Sequence, residues 1–141
     1  MLYILKRIYS NKEHRTINGI NIVSLNYTDT HSTFQLDFSL RLNDSRRREV
    51  ADFKRVLHHK SNAHKRRIEG LDGKNIIALN MVNRALNQGI EADYLLVDSW
   101  YAKPDFIAQV GELGMPVVAR IANNDRIWNF NGNHKTLDAL H

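Results

Sequence analysis

Residues 33–42, TFQLDFSLRL, alternate strictly: Phe34, Leu36, Phe38 and Leu40 are apolar, and Gln35, Asp37, Ser39 and Arg41 are polar. A repeat of two gives a strand with one apolar face, and that face is expected to meet the core. The preceding INGINIVSLNY, residues 17–27, sets Ile20, Ile22, Val23 and Leu25 among polar positions with no helical stripe, so it also reads as a strand. Turn formers in YTDTHST separate the two runs. Residues 17–41 therefore predict a β-hairpin.

Periodicity then fades, and residues 42–71 read as a basic linker. From residue 72 the repeat becomes helical: Leu79, Val82, Leu86 and Ile90 recur at spacings of three and four, with Asp72 as a candidate cap and Gly89 as a stop. The short apolar run Tyr94 to Val97 predicts a strand covered on both faces. After it, Pro104 suits a first helical turn, Phe106 or Ile107 makes a face with Val110 and Leu113, and Gly114 ends the element. MPVVARIA, residues 115–122, supplies another strand, so residues 72–122 form an α-β-α-β succession. A hairpin followed by this alternation predicts an α/β fold with a mixed sheet and flanking helices. In such sheets sites gather at the carboxyl ends of strands, and Asp98 occupies that kind of position.

A chain of 141 residues suffices for one domain with a real core, and residues 1–141 are expected to form one. Cysteine is absent, which excludes disulfides, thiolate metal sites and cysteine nucleophiles. That absence fits a reducing compartment, and cytoplasm is the expected location. The opening MLYILKRIYS is too short and too charged for a signal h-region or a membrane span.

Charge is unevenly spread. Residues 41–67 carry ten Lys or Arg against three acids, an excess of +7, while the whole chain carries only +5, so the rest is slightly acidic. Arg46, Arg47, Arg48, Lys65, Arg66 and Arg67 are its densest part and make nucleic acid the expected partner. A solvated basic helix would have the same composition. His58, His59 and His64 lie there too, but adjacent histidines point to different sides of an element, and a solvated face suits them better than a metal.

Asp98 also has two readings. As a turn former, its side chain accepts backbone N–H bonds. As a site residue, it is a carboxylate held at a sheet edge, able to ligate a hard divalent cation. GLDGKN fails the phosphate-loop pattern, because its glycine spacing is wrong and Asn75 stands where Ser or Thr is needed. Trp100, Tyr101 and Trp128 either stack on bases or close the core, and aromatics beside a strand end more often do the latter.

In order, GINIVSLNYTD, TFQLDFSL, KRRIE, ALNQGIEADYLLVDSWYAKPDFI and LGMPVVARI resemble the catalytic core of DDE transposases of the insertion-sequence-four type. The resemblance runs from about Leu5 to the end of the chain, and ADYLLVDSWY is its most specific part. It implies an RNase H-like fold in which two aspartates and a glutamate gather Mg²⁺ ions for in-line attack on a DNA phosphodiester, first by water and then by a DNA 3′-hydroxyl. Asp98 matches the second aspartate.

The other two acids have no match. Residues 1–21 contain no aspartate, Glu13 falls outside the pattern, and the glutamate is expected well beyond Asp98 on a later helix. Asp29 belongs to the turn, and Asp37 lies opposite the apolar set of its strand. The resemblance thus implies a central transposase fragment, truncated at both ends, carrying one of three catalytic carboxylates and inactive alone. It also implies unpaired inner sheet edges, which LYILKRIY could fill or which could pair between copies. Two alternatives remain at this point: a non-catalytic nucleic-acid-binding remnant using residues 41–67, and an unrelated small α/β hydrolase.

Overall fold

The computed structural model of the protein describes residues 6–10, 12–42, 61–121 and 127–136. They are mixed α/β and divide into two compact units, Met1–Glu91 and Ala92–His141.

Two antiparallel hairpins open the first unit. Strand β1 (Lys6–Ser10) pairs with β2 (Arg15–Gly19), and β3 (Asn21–Thr28) pairs with β4 (Thr33–Arg41). The run read as one strand over residues 17–27 is thus shared between β2 and β3, with the break at Ile20. In the turn between β3 and β4, Asp29 Oδ1 accepts the N–H groups of His31 and Ser32 at 2.7 and 2.6 Å, as a turn-forming aspartate should.

The face that β4 buries is the reverse of the expected one. Phe34, Leu36 and Phe38 are exposed, Phe38 by 53%, while Ser39 is buried and the Asp37 side chain is only 11% exposed. Register explains the choice. Val23 of β3 is a core residue and pairs with Ser39; Leu25 pairs with Asp37; both faces of a paired register must turn the same way. A register shift after Leu25 then breaks the regular alternation around Leu36.

Helix α1 (Asn62–Glu69) lies within the segment read as a linker. Its start is capped by Ser61, whose Oγ accepts the His64 N–H at 3.2 Å. No apolar stripe announces it, because its inward residue is the buried Glu69. At its end Gly70 runs so close to β4 that an added Cβ would lie 2.5 Å from the Leu40 carbonyl oxygen. Leu42 N–H donates to the Gly70 carbonyl at the same crossing.

Helix α2 (Lys74–Asn87) packs on β3 and β4 through Ile77, Met81 and Val82, which with Val23 form the core of this unit. Its N-cap is Gly73 rather than the expected Asp72. It ends at Gly89 (φ 79°), whose N–H reaches the Leu86 carbonyl while Ile90 N–H reaches Ala85, closing the last turn.

In the second unit β5 (Leu95–Val97) and β6 (Val117–Ala119) pair in parallel, joined through α3 (Pro104–Glu112). Phe106 and Val110 of α3 are buried with Ala102 and Met115. Leu96 and Val118, paired across the two strands, are both more than half exposed, so β5 is not covered on both faces. A last hairpin joins β7 (Trp128–Phe130) to β8 (Asn133–Lys135). Among the described residues no helix is long and apolar enough to cross a membrane.

Candidate nucleic-acid site

Asp98 follows the last residue of β5, and Arg120 follows the last residue of β6. Because the two strands are parallel, with Val97 opposite Ala119, both residues leave the same edge of the pair. The Arg120 N–H donates to the Val97 carbonyl at 3.3 Å, extending the pairing to that edge.

The chain then turns sharply. Asp98 Oδ1 accepts the Trp100 N–H at 2.8 Å, and its carbonyl accepts the Tyr101 N–H at 3.1 Å. The local reading of Asp98 is therefore realised: its carboxylate shapes the turn. It does so while exposed, at the strand end where a site was expected.

Aromatic residues flank it on the turn. Tyr101 is half-buried and packs on Phe106 with ring centroids 5.8 Å apart, the core-closing role expected of such residues. Burial, together with the nearby Asp98 charge, raises its phenol pKa. Trp100 behaves differently. It is 45% exposed, stands edge-on to Tyr101 at 5.2 Å, and carries the Lys103 ammonium 4.6 Å from its ring centroid.

The predicted basic residues fare unequally. Lys65 is exposed on α1 and Arg67 is half-buried there. Arg66 reaches Asp37 at 2.8 Å and Glu69 at 3.1 Å, so much of its charge is balanced within the fold. Arg46, Arg47 and Arg48 lie outside the described residues, as do His58 and His59. The balancing cluster itself was not legible as such: Arg84 of α2 contacts Asp37 at 2.7 Å and Glu69 at 2.6 Å, uniting β4, α1 and α2.

The sequence pattern of DDE superfamily endonucleases matches residues 1–135. The chain belongs to this family. The match includes Asp98, the basic segment, all of the first compact unit and the second as far as residue 135, and sets aside the unrelated-hydrolase reading. Searches of curated proteins and of solved structures gave no match. Membership implies DNA as the substrate, and a divalent metal is what DDE superfamily nucleases usually employ. Among the described residues, however, no three His, Asp or Glu side chains gather as a group able to hold a metal ion.

Proposed function

We propose that this DDE superfamily endonuclease chain belongs to a DNA transposase of the insertion-sequence-four type, and that Asp98 is the carboxylate it contributes to the site of DNA cleavage and strand transfer. The observation that carries the reading is the position of Asp98 inside the family match: exposed, at the carboxyl end of one of two parallel strands, next to a second strand end bearing Arg120. An RNase H-like core is the fold that accompanies this reading.

Mg²⁺ is the metal that accompanies it. Of the three acids that such a two-metal site needs, Asp98 is the one this reading assigns. DNA is held in part by the basic residues Arg46, Arg47, Arg48, Lys65 and Arg67, with Arg66 supplying less because of its ion pairs.

Two measurements on the purified chain test the reading. DNA binding at low salt that weakens steeply as salt rises is expected, and its absence would overturn the assignment. Supercoiled plasmid incubated with the protein and Mg²⁺ or Mn²⁺ is expected to stay intact. Nicking that Asp98→Asn abolishes would show instead that the chain completes its own site.

A further inference from the structure

We infer that Trp100 is a stacking platform for an unpaired nucleobase, with Lys103 as the contact for a phosphate beside that base. The inference rests on the DNA-acting reading above and adds to it a substrate-positioning residue pair.

Division of labour between adjacent aromatics is the first argument. Tyr101 already fills the packing role against Phe106, whereas Trp100 leaves nearly half its surface to solvent. A large indole held open beside a candidate site carboxylate is poorly used as core. Its placement is also rigid. The Trp100 backbone N–H is fixed by Asp98 Oδ1, the turn is closed by the Asp98 carbonyl and Tyr101 N–H, the indole and the Tyr101 ring meet in a T-shaped contact, and α3 begins at Pro104. A preordered ring loses little freedom when a base stacks on it.

Lys103 supplies the second argument. Its ammonium lies over the indole ring in the free protein, a weak association at an exposed site. A base arriving on the ring displaces it, and the flexible four-carbon stem lets the ammonium move to a phosphate of the same strand. Every base offers a π-face and every link a phosphate, so the pair suits single-stranded or splayed DNA without reading sequence.

Tryptophan occurs only at positions 100 and 128, so Trp128→Phe leaves Trp100 as the single indole reporter. In that background the full chain is titrated with a single-stranded oligonucleotide and with an abasic strand of equal length, following indole fluorescence. Binding of each labelled strand is followed in parallel by anisotropy. Quenching by the base-bearing strand and little by the abasic one is expected. Trp100→Ala should weaken binding of the base-bearing strand about 5- to 150-fold, Trp100→Tyr should largely restore it, and Lys103→Ala should lower the salt slope by about one unit. Binding seen by anisotropy with equal quenching by both strands, or unchanged by Trp100→Ala, overturns the inference and leaves the DNA-acting reading standing. If no strand binds even at low salt, that reading fails and the inference fails with it.

Discussion

Arg84 meets Asp37 across 47 positions of sequence, with Nε and Nη2 both donating to Oδ2, at 2.9 and 2.7 Å. The remaining Nη1 donates to Glu69 Oε1 at 2.6 Å, and Arg66 completes a group of two cations and two carboxylates. Both carboxylates are nearly buried, at 11% and 9% exposure, so each depends on its arginines for the hydrogen bonds that water would otherwise supply. This is how a strand face bearing Asp37 and Ser39 can be turned toward helices while its aromatic face is exposed.

Removing one member should therefore cost more than an exposed ion pair would. Asp37→Asn leaves Arg84 with a neutral partner and is expected to destabilise the fold by about 1.5–3 kcal/mol in urea denaturation. A cycle with Arg84→Met should give a coupling of about 0.5–3 kcal/mol; additive effects would mean the two side chains act independently.

The same contacts set an acid dependence. Burial alone would raise the Asp37 carboxyl, but hydrogen bonds and charge from Arg84 and Arg66 outweigh it and hold the group below its ordinary value of 3.8. A depressed carboxyl contributes stability that is fully present above the unfolded value and lost as pH falls through the folded one. Unfolding followed from pH 5 downward should thus show an acid loss starting near pH 4, and Asp37→Asn should flatten it. Asp29 is also depressed, by the backbone N–H groups of His31 and Ser32, so part of the acid loss should survive that substitution.

The reversed face of β4 is testable by contrast. Phe38→Ser removes an exposed ring and should change stability by about 0.5 kcal/mol or less, whereas Met81→Ala in the core should cost about 2–5 kcal/mol. If Phe38→Ser were the more damaging, the alternation in the sequence would have named the inner face correctly after all.

How far the sequence carries depends on what holds each element. The β3–β4 turn, α2 and α3 are legible because turn formers, apolar spacing and Gly89 or Gly114 at the helix ends are local signals. Helix α1 is not, because its inward contact is Glu69 meeting an arginine 15 positions away, and no period in the sequence records that pairing. The inner face of β4 was misjudged for the same reason: Asp37 looks polar until Arg84 is beside it. Hairpin β7–β8 did carry a usable signal, the Asn131–Gly132 pair between two short runs. At the site, the position of Asp98 was legible from the strand that ends before it, while the exposure of Trp100 and the Lys103 contact depend on how the turn folds.

Gly70 offers a steric test of the α1 crossing. An added methyl would lie 2.5 Å from the Leu40 carbonyl oxygen, far inside any real contact, and the obstacle is backbone that cannot rotate away. Gly70→Ala should cost about 1–3 kcal/mol despite the helical backbone angle there, which any residue can adopt. A neutral result would mean that α1 shifts freely against β4, and the four-charge group would then have to tolerate the same movement.

Asp98 combines a turn role with a proposed chemical one, and two substitutions separate them. Asn keeps an oxygen able to accept the Trp100 N–H, so Asp98→Asn should leave stability within about 0.5 kcal/mol of the parent. Ala removes that acceptor, and by analogy with a lost helix cap Asp98→Ala should cost about 0.5–2 kcal/mol. If the carboxylate is needed for DNA chemistry, the two variants should be equally deficient in any cleavage assay in which the parent chain is active, although only one of them loosens the turn. Activity that tracks stability instead, preserved in Asp98→Asn and lost in Asp98→Ala, would reduce Asp98 to a turn former whose charge the chemistry never uses.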